Sequence, residues 1–201
     1  MTNIVIVDYG LGNLRSVSKA LEKVGGTVEI TGEIDAIRSA EGIVLPGVGA
    51  FHEGMARLTD LKAALVESVR QVPILGICLG MQMLMDFSEE HGLHAGLGLI
   101  PGTVRKFEPT EGYKIPHMGW NQISLESEDD PLFTSIQEGS YLYFVHSYWA
   151  DTPVQYRVTS TSYITQFASS IRNGNAWGTQ FHPEKSGDTG LTILRNYIEM
   201  L

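Results

Sequence analysis

A single cysteine, Cys78, is all the thiol that the 201-residue chain contains. One cysteine excludes an intramolecular disulfide and any multi-cysteine metal site, and it fits a reducing compartment. Long apolar runs are missing as well. No stretch approaches the roughly 20 residues of a membrane helix, and Met1–Asp8 lacks both the basic lead and the apolar length of a signal peptide. Lysine and arginine number 14 against 23 acidic residues, a formal net charge of -9, and no dense basic stripe occurs. Neither nucleic acid nor an anionic membrane is therefore an expected partner. The acidic residues are spread evenly apart from Glu126, Glu128, Asp129 and Asp130, which aid solubility. With no repeat, low-complexity tract or linker, residues 1–201 are expected to form one compact cytoplasmic domain.

What is present is alternation. Asn3–Asp8 is a β-branched run, followed by Leu14, Val17, Leu21 and Val24 at the spacing of one helix face. Thr27–Ile30, Gly42–Pro46 and Pro73–Ile77 are strand candidates; Leu61, Ala64, Leu65 and Val69 mark a helix, and another starts near Gly80. The pattern predicts an α/β fold, an open and mostly parallel sheet with helices on both faces. In the second half Thr103–Phe107, Trp120–Ile123, Tyr141–Tyr148 and Val154–Thr159 read as strands without long helices between them. Gln166–Arg172 and Ala176–Phe181 flank Asn173-Gly174, a hairpin signal. Antiparallel strands are thus added in the C-terminal half, before a last helix carrying Leu191, Leu194 and Ile198.

Cys78 follows the buried run and sits in Gly76-Ile-Cys-Leu-Gly80. A nucleophile elbow is a sharp strand-to-helix turn whose neighbours two positions away must be small, as Gly76 and Gly80 are. Such a turn brings the sulfur to a helix N-terminus and aims the Leu79 N–H at a developing oxyanion. A lone cysteine is equally well a buried apolar filler, and the motif by itself leaves both readings open. Among six histidines (His52, His91, His94, His117, His146, His182), His182 stands out in Gln180-Phe-His-Pro-Glu184. The following proline favours an extended His182, so Glu184, two residues on, can reach the imidazole and orient it as a base. No other histidine or cysteine shows zinc-ligand spacing around it, so no metal is expected. Asp8-Tyr-Gly-Leu-Gly-Asn-Leu-Arg15 has arginine where a dinucleotide fingerprint needs glycine and no P-loop lysine; it reads as a tight turn. Pro46-Gly-Val-Gly49 ends another strand, and loops at carboxyl ends of parallel strands share one crevice.

Gly76-Ile-Cys-Leu-Gly80 with Gln82, and Gln180-Phe-His-Pro-Glu184, resemble the class I glutamine amidotransferases. Within them, Asp8–Leu14, Pro46–Phe51, Pro116–Asn121, Tyr143–Tyr148 and Phe181–Ser186 are similar to the glutaminase subunits of imidazole glycerol phosphate synthases. The resemblance spans the chain. It implies a flavodoxin-like glutaminase with a Cys78-His182-Glu184 triad and no cofactor. It also implies a heterodimer with a (β/α)8-barrel cyclase that receives ammonia from glutamine and makes imidazole glycerol phosphate and aminoimidazole carboxamide ribotide. In those relatives the peptide matching Val48 and Gly49 reorients to complete an oxyanion hole with Leu79. Gly47, Gln82, Ser147 and Tyr148 match glutamine-binding positions, and Asn13, Trp120, Tyr143 and Lys185 match the subunit interface. The rivals are an amidotransferase feeding another pathway, and a non-catalytic binding module in which Cys78 senses redox state.

Overall fold

The computed structural model describes residues 3–127 and 129–201; Met1 and Thr2 of the N-terminal run and Glu128 of the acidic cluster lie outside the described residues. The first half runs β1 (Asn3–Val7), α1 (Leu14–Lys23), β2 (Thr27–Thr31), α2 (Ile34–Ser39), β3 (Gly42–Gly47), α3 (Phe51–Arg57), α4 (Lys62–Ser68), β4 (Ile74–Cys78) and α5 (Leu79–Met83). The second half holds β5 (Met85–Ser88), β6 (His94–Ala95), β7 (Ile100–Lys106), β8 (His117–Gln122), β9 (Ser124–Leu125), β10 (Tyr141–His146), β11 (Tyr148–Asp151), β12 (Arg157–Ser162), β13 (Gln166–Asn173), β14 (Ala176–Thr179) and α6 (Gly187–Glu199).

Strands β2-β1-β3-β4-β14 lie side by side and parallel, the flavodoxin-like order. Side chains alternate across this sheet, because successive strand residues face opposite ways. Val5 and Val7 pack with Ile37, Phe51, Leu65 and Leu79 from α2 to α5, whereas Ile4 and Ile6 pack with Val17 and Leu21 of α1 and Leu194 of α6. Beyond β14 the sheet continues through antiparallel β13, β11 and β7 to β5 and β6. Strands β8 and β10 form a separate antiparallel ribbon.

The strand order reverses at β1, and the carboxyl ends of β1, β3 and β4 open onto the crevice expected at such a switch point. Register places Gly47 of β3 directly beside Cys78 of β4. Two sequence expectations differ from the structure. Tyr141–Tyr148 is not one strand: it breaks at Ser147, with β10 pairing β8 and β11 pairing β7 and β13. Val154–Tyr156 forms a 3-10 turn, and the strand starts at Arg157. In both cases uniform β-branched and aromatic composition hides a change of sheet or direction that tertiary pairing imposes. No helix among the described residues is long and apolar enough to cross a membrane.

Candidate active site

Cys78 is the junction of β4 and α5, with φ 55° and ψ -108°. An L-residue with positive φ in that region is strained by about 1–3 kcal/mol, and the strain persists because the surroundings leave no alternative. A Cβ on Gly76 would meet the Gly80 carbonyl and the Met81 nitrogen at 2.7 Å, and one on Gly80 would collide with the Leu45 carbonyl. Both glycines therefore let α5 press against β3 and β4. Leu79 opens α5, where the first N–H groups have no intrahelical acceptor. Because α5 is only five residues long, it offers those N–H groups rather than a long helix dipole.

His182 follows β14 in extended backbone, φ -99° and ψ 96°. Its N–H donates to Tyr143 O of β10 (2.9 Å), and its carbonyl accepts from the Ser186 hydroxyl (2.6 Å), which in turn accepts from the Tyr143 N–H (3.0 Å). The imidazole is thereby tied to the ribbon. His182 Nδ1 lies 2.8 Å from Glu184 Oε1, with both side chains buried. The carboxylate can only accept, so the Nδ1 proton is fixed and Nε2 is turned to the pocket without an aligned hydrogen-bond partner. Burial opposes protonation of His182, but polar interaction with the Cys78 thiol and with Glu184 outweighs it and raises the imidazole to about 9.

A cavity of about 330 Å³ opens over the sulfur. Eight of its lining residues were singled out in the sequence: Val48, Gly49, Cys78, Leu79, Gln82, Ser147, Tyr148 and His182. Gly47 stands beside Cys78 in the sheet, and Glu184 lies behind His182. Gly49 has φ 107°, a conformation only glycine adopts freely, and no atom lies within 4 Å of where its Cβ would be. Tyr9 steadies the start of this loop: the phenol donates to Pro46 O at 2.7 Å, and burial first, then the charge of Cys78, pushes its pKa up. Gln82 Nε2 donates to Tyr148 O and to Gln180 Oε1, each at 3.1 Å. Gln180 Nε2 lies 3.7 Å from Cys78 Sγ, and the thiol reaches Val145 O at 3.8 Å.

Among the remaining lining residues, Pro116, Val145 and His146 lie in the singled-out stretches Pro116–Asn121 and Tyr143–Tyr148 without an assigned role, and Glu90 lies outside every such stretch. Glu90 is a carboxylate in the pocket wall, accepting the Phe51 N–H at 2.6 Å. Burial, with Glu90 as second cause, raises the Tyr148 phenol. No motif surrounds Glu90 in Ser88-Glu-Glu-His-Gly92, so sequence reading had no signal for it. Of the expected interface residues, Trp120 and Tyr143 face each other across the ribbon with ring centroids 6.1 Å apart, and Lys185 Nζ lies 6.0 Å from the Tyr143 ring. Trp120 is 55% exposed and its neighbour Met118 62%, so an apolar outer face waits on the ribbon. Asn13 is exposed on the loop whose Gly12 lies against Pro46 and Gly47.

The chain is similar in sequence to curated relatives and in fold to solved structures. The imidazole glycerol phosphate synthase subunit HisH of Methanosarcina acetivorans is 53% identical over 203 residues, covering 100% of both chains. The subunit HisH of Listeria monocytogenes serotype 4a is 44% identical, covering 98% of this chain and 95% of its own. Among solved structures, PurLQS from Thermotoga maritima superposes with a TM-score of 0.75 at 21% identity, covering 99% of this chain and 98% of that one. The glutaminase domain of Trypanosoma brucei CTPS with bound acivicin gives 0.70 at 16% identity, covering 99% and 94%; both likenesses concern the fold. The family model for glutamine amidotransferase class-I matches residues 5–200, and the chain belongs to that family.

Proposed function

We propose that this chain, as one amidotransferase domain in the cytoplasm, hydrolyses glutamine to glutamate and ammonia. The ammonia goes to a (β/α)8-barrel cyclase, with which the chain forms a heterodimer making imidazole glycerol phosphate and aminoimidazole carboxamide ribotide in histidine biosynthesis. The observation that carries the reading is the strained Cys78 beside His182, whose other nitrogen is held at 2.8 Å by buried Glu184. The name shared by relatives 44–53% identical over the full length supports the pathway.

His182 takes the thiol proton and, raised to about 9 by Cys78 and Glu184, holds it while Sγ attacks the side-chain carbonyl of glutamine. The Leu79 N–H and a peptide N–H of Val48–Gly49 hold the oxyanion, two donors where loss of one costs about 3–4 kcal/mol of barrier. His182 then protonates the departing ammonia, and water cleaves the γ-glutamyl thioester. Glu184 keeps the imidazole in the tautomer that can do both. Glu90 is the pocket carboxylate suited to the α-ammonium of the substrate, with Gln82 Oε1 and the Gly47 and Ser147–Tyr148 backbone as its other polar partners. Docking of the cyclase on Asn13, Trp120, Tyr143 and Lys185 completes the Val48–Gly49 donor, so free chain is nearly idle. The test is glutamate release by the chain alone, with cyclase, and with cyclase plus its nucleotide ligand. Rates rising in that order are expected; equal high rates in all three would sink the gating, and no release in any would sink the function.

A further inference from the structure

The strap carrying Ser147 and Tyr148 is held from behind by hydrogen bonds that the triad chemistry does not use. His146 Nδ1 lies 2.7 Å from Tyr148 O, His146 Nε2 lies 2.9 Å from His117 Nδ1, and His117 Nε2 lies 3.2 Å from Asn121 Nδ2. Both ends have a fixed polarity. A carbonyl can only accept, so His146 Nδ1 carries the proton and donates it. At the other end, Asn121 Oδ1 accepts the Gln122 N–H (2.8 Å) and its Nδ2 donates to Ser162 O (3.0 Å). That orientation presents an N–H to His117, whose Nε2 must accept. The middle link can then only run from His117 Nδ1–H to His146 Nε2. A second proton on either ring would bring two N–H groups face to face.

Burial works in the same direction. It holds His117 down at about 4. It also holds His146 at about 3, opposed by the bond to Tyr148 and reinforced by His117 and His182. Stacking against Phe144 and Tyr163, with centroids at 5.0 and 4.1 Å, restrains the His117 ring. Beyond the carbonyl the chain continues: Tyr148 O also accepts from Gln82, which donates to Gln180, which reaches Cys78 Sγ. At its origin, His117 and His146 are register partners across the ribbon that exposes Met118 and Trp120.

We propose that His117 is a positioning residue for glutamine: through His146 it fixes the Tyr148 carbonyl, and with it the Ser147–Tyr148 backbone and Gln82, and it ties that half of the pocket to the ribbon whose outer face carries Met118 and Trp120. The proposal rests on the glutaminase reading of the pocket. Because His117 touches no reacting atom, its effect falls on substrate binding, which appears in KM more than in kcat.

The test compares His117→Asn, His117→Gln and His117→Phe in the assembled heterodimer. An asparagine amide nitrogen occupies the place of Nδ1 and keeps the donor to His146; a glutamine amide occupies the place of Nε2 and loses it. His117→Gln and His117→Phe should raise KM for glutamine about tenfold with kcat changed much less, and His117→Asn should stay within about threefold of the parent. Nitrogen NMR of labelled histidine in the parent complex, without substrate, should find His117 and His146 neutral at pH 7 with the proton on Nδ1. Equal KM in all variants, asparagine no better than phenylalanine, or a proton on Nε2 of either ring would overturn the proposal. A parent complex that releases no glutamate would instead overturn the glutaminase reading, and the tautomers would still report on the relay separately.

Discussion

Two imidazoles buried in neutral form make the protein sensitive to mild acid, by an amount that follows from their environment. His117 and His146 are held at about 4 and about 3 in the folded chain, whereas in the unfolded chain both titrate near 6.5. Their folded pKa values are depressed. The stability they contribute is therefore present above pH 6.5 and is lost as the pH falls toward the folded values, because the unfolded state binds protons that the native state refuses. At pH 5 each unfolded imidazole is about 97% protonated, and each native one is almost entirely neutral. The penalty is then about 2 kcal/mol per ring, about 4 kcal/mol together, set by the unfolded pKa and barely by the folded one. His182, raised to about 9, gains about 1.4 kcal/mol over the same interval, so with a urea m-value of about 2 kcal/mol/M the midpoint should drop by about 1.3 M between pH 7.5 and pH 5. His117→Asn should remove about 1 M of that drop, since one titrating ring is gone. Urea unfolding followed by circular dichroism at both pH values measures it. A midpoint unchanged between them, or a His117→Asn variant with the full parental drop, would refute the buried neutral pair.

On the alkaline side the sign reverses. His182 is raised to about 9, so its contribution is fully present below pH 6.5 and is lost as the pH rises through 9; about 3 kcal/mol should disappear, and His182→Asn should show no such slope in the same unfolding assay. Gly80→Ala puts a methyl into the Leu45 carbonyl and should cost about 1–3 kcal/mol of stability while lowering kcat in the complex, because the elbow must move; unchanged kcat would show that the turn is not the constraint. Trp120→Ala should leave the unfolding midpoint of the free chain unchanged, since the ring is 55% exposed. It should weaken cyclase binding by about 2 kcal/mol or more, read by titration calorimetry.

The parallel half of the fold was legible because each strand there is a short β-branched run ending in turn residues, and each major helix has its apolar face at the right period. The elbow was legible for a different reason: Gly76 and Gly80 are steric necessities, and necessities leave a mark in sequence. His182 was readable because the following proline favours its extended backbone, whereas Glu184 reaches the imidazole from the 3-10 turn Pro183–Lys185 and not from the extended run expected. What stayed hidden depends on contacts between distant segments. The break at Ser147 follows from β10 and β11 pairing with different sheets, which no local pattern encodes. Glu90 reaches the pocket from a turn 12 residues past the cysteine, in a stretch with no regular signature. The His117–His146 relay exists only because β8 and β10 pair in one register; in the sequence they are two histidines among six.

The central claim is that Cys78 carries the glutamyl group during turnover. Acid-quenching the heterodimer under steady glutamine hydrolysis and mapping its peptides by mass spectrometry tests that directly. A γ-glutamyl adduct on the Cys78 peptide, absent from the Cys78→Ala complex along with its ammonia release, is the predicted result. Ammonia release that persists in Cys78→Ala would contradict it.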